Sequence, residues 1–322
     1  MSSAPLRVVV GNYDRTRPLL DGAIEVPGFS TQVITGDLEE IFAKAFGAAE
    51  YEVTELSFSN FLIASVRGDC PYIALPIFPS RSFRHSAIYV RRDSGITTPA
   101  DLAGKRIGTR EYSNTLSLVV RGILSDEYGF KPEDSQWLVG DVDHLERTSI
   151  DGRNWPSNGV RIEGVPGETL VSRMARGALD ALIAYTPPAS FGGPDGPVRL
   201  FPDWRPVEQD YYRRTHRFPI MHVMGIRKDV LQSHPALPAA LMSAFNQAKA
   251  HALAQLAVHQ ALPISLPWMT AEAEQTQALM GTDFWPYGIE QNRDMLQSQI
   301  RWSFTQGLIP REPALDELFA KP

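Results

Sequence analysis

The chain reads as an α/β protein of two lobes, each built on a mostly parallel sheet, joined by a hinge that leaves a cleft between them. Three observations predict this. Apolar strand-like runs alternate with amphipathic helical ones along most of the chain. The 322 residues suit about two domains. The alternation also breaks near Asp93 and again over 186–206, a stretch rich in Pro and Gly, as expected when a middle unit is inserted into a discontinuous first one. The expected spans are 1–92 with 210–322 for the first lobe and 93–209 for the inserted second.

Residues 7–10 are a β-rich run and form the first strand. Leu38, Ile41, Phe42, Ala45 and Phe46 fall at helical spacing, one apolar face of a helix. A short helix starts near Ser57 or Ser59, buries Phe58, Phe61, Leu62 and Val66, and stops at Gly68. Residues 72–78 are a continuous apolar run that fits a buried parallel strand, and 85–91 read as another strand. Thr98 followed by Pro99 is a helix-start signal for a short helix over 100–103. Then come a strand at 105–109, a polar loop at 110–114 and a helix at 115–124. Residues 141–167, rich in Asp, Arg, Asn, Gly and Pro, predict a long loop. A helix at 168–178 and a strand at 181–185 precede the second break. Beyond it, 220–226 read as a strand, and 235–260 and 289–304 as helices. No internal repeat or low-complexity tract interrupts this order.

Composition narrows the function. Lys+Arg is 31 and Asp+Glu 37, a net charge of −6, so the chain lacks the basic footprint of a nucleic-acid binder or of a protein drawn to anionic membranes. At 43% hydrophobic and 21% charged it is not a disordered chain. Cys70 is the single cysteine, which excludes an internal disulfide and any multi-cysteine metal site. No apolar run reaches the length of a membrane span. No basic segment followed by an apolar one opens the chain, so a cytoplasmic location is expected.

Several segments resemble the 4,5-dihydroxyphthalate decarboxylase family. They are Asn12-Tyr13-Asp14-Arg15-Thr16-Arg17-Pro18-Leu19, Glu55-Leu56-Ser57, Arg67-Gly68-Asp69-Cys70-Pro71, and Phe83-Arg84-His85-Ser86-Ala87-Ile88-Tyr89-Val90-Arg91. Asp101-Leu102 with Gly104-Lys105-Arg106-Ile107-Gly108, Phe218-Pro219-Ile220-Met221-His222 and Trp285-Pro286-Tyr287-Gly288 extend the likeness over nearly the whole chain. The resemblance implies a type II periplasmic-binding-protein fold used as a cytoplasmic enzyme, one that removes a carboxylate from a dihydroxylated phthalate to give protocatechuate and CO2. The fold is similar to that of the thiamine-pyrimidine synthases, whose cysteine-rich motif is absent here. Ser113-Asn114-Thr115-Leu116-Ser117 departs from the small, Gly/Ala-rich loop of the family, and 143–166 is individual to this chain.

Direct loss of CO2 from such a ring would leave an aryl carbanion. The easier route protonates the carbon bearing the carboxylate while the para hydroxyl becomes a carbonyl, so that CO2 leaves as aromaticity returns. That route needs a general acid near the ring carbon, a base near the hydroxyl, and cations or N–H donors for the carboxylates. It needs no organic cofactor. The sequence carries neither a glycine fingerprint after its first strand nor metal-spaced His/Cys clusters, so no cofactor and no metal are expected.

With the family in view, His85 is the first choice for acid–base work, because imidazole titrates near neutrality. Arg81 and Arg84 are candidates for the carboxylates; in a strand, Arg84 and His85 would point opposite ways. His222 sits in an otherwise apolar run, either as a core residue or with a role at the substrate hydroxyls. Asp14 could accept a hydroxyl proton or cap a turn, and Arg15 could hold a carboxylate. Glu55, Ser57 and Ser59 precede a helix, where hydroxyls and N–H groups suit an anion as well as a cap. Tyr112, Ser113, Asn114 and Thr115 make the equivalent loop of the second lobe, and Glu111 is an acid without a task. The cluster Phe284-Trp285-Pro286-Tyr287 covers the cleft, packs internally or meets another subunit. The expected partners are a small aromatic carboxylate and further copies of the chain, with no nucleic acid or membrane. A second reading is a solute-binding protein that captures an aromatic carboxylate without turnover.

Overall fold

The computed structural model of the chain describes residues 4–145, 154–156 and 158–321. The expected loop at 141–167 therefore falls partly outside the described residues. The strands in chain order are β1 (Leu6–Val9), β2 (Thr31–Ile34), β3 (Val53–Ser57), β4 (Tyr72–Arg81), β5 (Ile88–Val90), β6 (Arg106–Thr109), β7 (Gln136–Val139), β8 (Arg161–Gly164), β9 (Ala181–Ile183), β10 (Val198–Arg199) and β11 (Ile220–Arg227). The helices are α1 (Arg17–Leu20), α2 (Leu38–Ala48), α3 (Phe58–Arg67), α4 (Thr115–Tyr128), α5 (Leu170–Ala175), α6 (Trp204–Thr215), α7 (Lys228–Ser233), α8 (Leu237–Gln255), α9 (Met269–Met280), α10 (Arg293–Thr305) and α11 (Leu315–Leu318). No helix among the described residues is long and apolar enough to cross a membrane.

The strands form two sheets, one in the order β2-β1-β3-β11-β4 and the other β10-β5-β9-β6-β7-β8. In the first, β11 runs antiparallel between β3 and β4. In the second, β5 is the reversed strand, against parallel pairs among β6, β7, β8 and β9. Parallel pairing needs a helical crossover, which is why strands and helices alternate in the sequence.

Three expectations change here. The stretch 141–167, read as a long loop, carries strand β8, paired parallel with β7. The run at 72–78 is not a parallel strand in mid-sheet but the edge strand β4, paired antiparallel with β11. Its register with β11 slips across 76–79, where Pro76 and Pro79 lack the N–H a regular ladder requires. The irregular carbonyls are taken up elsewhere: Gly288 N donates to Pro76 O at 2.8 Å, and Trp285 Nε1 to Phe78 O at 2.9 Å. The expected strand at 85–91 is instead a short 3₁₀ turn, His85–Ala87, followed by β5.

One hydrophobic cluster runs through both sheets. It holds Leu56 and Phe61 beside β3 and α3, Leu118 and Ile123 on α4, and Leu296 and Trp302 on α10. Helix α4 belongs in sequence to the second sheet yet packs against both α3 and α10. Gly122 lets α10 approach: a Cβ there would lie 2.2 Å from the Trp302 indole. That indole is 1% exposed and donates to Asp126 at 2.9 Å, so it has nowhere to move. Gly122→Ala gains about 1 kcal/mol of helix propensity. The overpacking outweighs it, giving a net loss of about 2 kcal/mol in urea unfolding; an unchanged midpoint would show that the α4–α10 contact yields.

The chain crosses from the first sheet to the second through Arg81–Ala87. There the His85 imidazole is 1% exposed, 5.3 Å from the Phe201 ring and 5.4 Å from Tyr211. Its Nδ1 has no hydrogen-bond partner and lies 3.9 Å from Glu208 Oε1. Glu208 in turn accepts from the Ser86 N–H at 3.2 Å. Burial pushes His85 down to about 4 and Glu208 up to about 7, so both favour their neutral forms. For Glu208, the folded chain keeps a proton that the unfolded chain releases near pH 4.5; the stability this provides is present below pH 4.5 and lost as pH rises through about 7. His85 acts the opposite way, its contribution present above pH 6.5 and lost as pH falls through about 4. Between pH 4.5 and 6.5 the two slopes oppose. Glu208→Gln keeps the Ser86 acceptor and removes one slope. It is expected to match the parent near pH 4.5 and exceed its unfolding free energy by at most about 3 kcal/mol at pH 8. Parallel pH profiles for the two proteins would refute this.

Candidate active site

The carboxyl ends of β1 and β3 open where β11 begins, and they converge on Glu55. Its side chain has no exposure. Gly11 N donates to Oε2 at 2.7 Å and the Tyr13 hydroxyl to Oε1 at 2.7 Å. His222 Nδ1 stands 2.6 Å from Oε1, on the diagonal between neighbouring strands. A carboxylate only accepts, so the shared hydrogen belongs to the imidazole and Nε2 is left as the reactive nitrogen. Burial, then the Glu55 charge, drives the Tyr13 phenol far above its usual range, which keeps it a donor. The Gly11 backbone leaves room for the Tyr13 ring, which a Cβ would meet at 2.6 Å. Phe42 of α2 meets the His222 ring edge-on at 5.0 Å, and the His222 side chain remains 16% exposed.

Across from this cluster, two helix starts meet. Ser57, the N-cap of α3, bonds through Oγ to Thr115 Oγ1 at 3.1 Å, and Ser59 N donates to the same oxygen at 3.1 Å. Asn114 caps α4 by accepting from Ser117 N at 2.8 Å. The Asn114 Nδ2 and Ser59 Oγ are buried without partners. Glu111 Oε1 accepts from Asn60 Nδ2 at 3.0 Å and from Ser113 Oγ at 2.6 Å. Arg110 Nη2 donates to Glu39 Oε2 at 2.7 Å, a further bond between the two halves. Helix starts bring N–H groups and a positive dipole end to one place, which favours an anion.

The arginines divide. Arg81, 6% exposed, donates to Phe218 O at 2.9 Å, to Pro286 O at 2.8 Å and to Asn292 Oδ1. Burial lowers it to about 9. It pins the 286–292 segment instead of binding a ligand. Arg15 donates Nε to Pro79 O at 2.7 Å, Nη2 to the same carbonyl and Nη1 to Asp14 at 3.0 Å. Its guanidinium lies 3.9 Å from the Trp285 ring centroid and 4.3 Å from that of Tyr13. Most of its donors are spent on the β4 irregularity and on stacking. Asp14 is 57% exposed and tied to Arg15, away from Glu55 and His222 in its bonding. Arg84 differs: its Nε meets Met221 Sδ at 3.1 Å, and it has no carboxylate partner among the described residues. The sulfur it meets belongs to Met221, the residue before His222 at the start of β11.

Of the expected residues, then, the structure brings together Glu55, Ser57, Ser59, Ser113, Asn114, Thr115, His222 and Arg84. It withdraws His85 into the aromatic box described above, so its ring does not face the dyad. It also withdraws Tyr112, which is 0% exposed under the Arg121 guanidinium at 3.7 Å with its hydroxyl unpartnered. The aromatic cluster at 284–287 packs within the chain: the Trp285 ring lies against the Arg15 guanidinium and meets Phe218 edge-on, and Tyr287 is 4% exposed. Tyr13, Asn60 and Tyr185 were not anticipated. A loop following the first strand was the available signal for Tyr13; Asn60 and Tyr185 had none. No three His, Cys, Asp or Glu side chains are grouped to hold a metal among the described residues.

The family model described as NMT1/THI5 like matches residues 83–154. The fold is that of the periplasmic binding proteins. The aliphatic sulphonate binding protein SsuA of Escherichia coli superposes with a TM-score of 0.52 at 15% identity, over 98% of each chain. A putative sulfonate-binding SsuA of Methylobacillus flagellatus gives 0.54 at 10%, over 98% of this chain and 90% of that one. The 4,5-dihydroxyphthalate decarboxylase of Pseudomonas putida is 40% identical over 66% of this chain and 83% of its own. That of Comamonas testosteroni is 39% identical over 99% of this chain and 97% of its own. At that identity over the full length, the chain belongs to the 4,5-dihydroxyphthalate decarboxylase family, a family of aromatic acid decarboxylases.

Proposed function

We propose that this chain converts 4,5-dihydroxyphthalate to protocatechuate and CO2 by protonating the ring, between a first lobe of 1–92 with 210–322 and a second of 93–209. The reading rests on one observation above the rest, the Glu55–His222 pair with Nε2 directed away from the buried carboxylate. That pair sets an imidazole nitrogen against a carboxylate, whereas burial at His85 disfavours the imidazolium. His222 Nε2–H gives its proton to the ring carbon that bears the leaving carboxylate. The para hydroxyl gives up a proton as its oxygen becomes a carbonyl. The C–C bond then breaks, its electron pair returns to the ring, CO2 departs, and the oxygen recovers its proton. One proton is consumed for each CO2 released, and the ring itself is the electron sink.

Arg84 supplies the planar fork for one carboxylate. The hydroxyls of Ser57, Ser59 and Thr115, at the facing starts of α3 and α4, receive the other. The alternative of capture without turnover draws on the sulphonate-binding proteins that share the fold. The assay separates the two: purified protein with 4,5-dihydroxyphthalate is expected to release CO2 and form protocatechuate, and binding without product would favour capture. His222→Ala should lower kcat by roughly 10²-fold or more while leaving the circular dichroism spectrum unchanged. Arg84→Gln should raise KM more than it lowers kcat. Full activity in His222→Ala would remove the dyad from the reaction.

A further inference from the structure

Glu111 has no part in the scheme above, yet its position is singular. It lies two residues beyond the end of β6. Thr109 of β6 pairs with Ile183 of the parallel strand β9, so Tyr185 stands two residues beyond that neighbour, at the same carboxyl edge of the sheet. In open α/β sheets that edge is where ligands bind. The carboxylate is asymmetric in its bonding. Both hydrogen bonds, from Asn60 of the first half and Ser113 of the second, go to Oε1. Oε2 takes none among the described residues, and Glu111 has no cation partner there; the adjacent Arg110 is engaged with Glu39. Glu111 is half-buried and Tyr185 is 49% exposed, so both border accessible space. The Tyr185 hydroxyl is raised by burial first and then by the Glu111 charge, while Arg84 pulls it the other way. The Glu111 carboxylate and the Tyr185 phenol thus share one corner at the carboxyl edge of the sheet, and the Arg84 charge acts on the same phenol.

An aromatic diacid meets this corner in one orientation. Its carboxylates are drawn to Arg84 and repelled by Glu111, so the end turned to Glu111 must bring hydrogen-bond donors. Ring hydroxyls are such donors. Resting on the decarboxylase reading, we infer that Glu111 Oε2 receives the ring hydroxyl hydrogens and selects hydroxylated over unhydroxylated aromatic diacids. In the reaction it takes the proton of the para hydroxyl as His222 protonates the ring carbon, and returns it when the ring regains aromaticity after CO2 leaves. A site built to accept from a hydroxyl rejects the analogue lacking it, because the buried acceptor is then left unpaired against a second anion.

Glu111→Gln tests this, since the amide oxygen can still accept from Asn60 and Ser113. Titration calorimetry with protocatechuate, 4,5-dihydroxyphthalate and plain phthalate gives selectivity independently of turnover. The parent should bind 4,5-dihydroxyphthalate at least roughly 10-fold more tightly than phthalate. The variant should lose most of that ratio, by weaker binding of the hydroxylated ligands with phthalate unchanged or tighter, and its kcat should fall roughly 10²-fold. Equal weakening of all three ligands would mark Glu111 as a brace between the halves and overturn the inference, as would an unchanged ratio. If the parent binds selectively but forms no product, the decarboxylase reading fails while the selectivity test still stands.

Discussion

A carboxylate with no exposure sits in the middle of the first sheet, and much of the molecule is arranged to make that tolerable. Removing a charge from water costs several kcal/mol unless donors replace the water. Glu55 finds them in Gly11, Tyr13 and His222, the last 167 residues away. The need to bring these groups to one point fits the return of β11 between β3 and β4, antiparallel to both, where a parallel strand would run His222 in the other direction. Breaking the pair from one side would strand a buried charge, an effect of about 3–5 kcal/mol that exceeds what most single contacts provide. The site is thus fixed by electrostatic necessity in the sheet itself.

The second half is held to the first by matter of a different kind. Helix α4 starts at the ligand-facing edge with Asn114 and Thr115 and ends deep against α10. Arg121 on that helix is wholly buried, with no carboxylate partner among the described residues. Its donors go to Tyr112 O at 2.7 Å and Gln306 Oε1 at 2.7 Å, and its plane stacks on the Tyr112 ring. An uncompensated buried cation is costly, lowered here to about 10 by its surroundings. In exchange the loop before α4 is set by a rigid planar group instead of by solvent. Continuous apolar packing from Phe61 through Leu118 to Trp302 makes the relation of the two helix starts a property of the core.

Much of this order was legible in the sequence. The α2 stripe from Leu38 to Phe46, the α3 stop at Gly68 with φ +89°, and the polar loop before α4 follow from local rules that need no tertiary partner. Glu55, Ser57 and Thr115 were also legible, because ligand groups gather where strands end. What was hidden was pairing. Periodicity marks 72–78 and 220–226 as strands but carries no sign that they run antiparallel side by side. Nor does it show 53–57 as a strand, or the helix at 204–215, which begins at the end of the Pro- and Gly-rich break over 186–206. Arg81 resembled a ligand arginine because its partners lie 137 and 205 residues away. The adjacency of Arg84 and His85 suggested a shared task, and alternation along a strand was the wrong geometry, since the backbone there is a 3₁₀ turn.

The two histidines show why residue type alone could not choose between them. Both lie beside a glutamate in or near the crossing between the sheets, yet their environments reverse their chemistry. His85 faces Phe201 and Tyr211 with a glutamate 3.9 Å away that is itself pushed up to about 7, so neither group supplies a charge to the other near pH 6. Such a pair packs and does not exchange protons with a ligand it cannot reach. His222 faces a glutamate held by two further donors at 2.7 Å, a carboxylate kept in its accepting form. Hydrogen bonding of Nδ1 then fixes the tautomer, which leaves Nε2 free of the sheet's own bonding. The difference lies in Gly11 and Tyr13, residues that touch no reacting atom in the proposed scheme. What separates the two histidines is how completely the partner carboxylate is satisfied, and that is decided in the turn after the first strand.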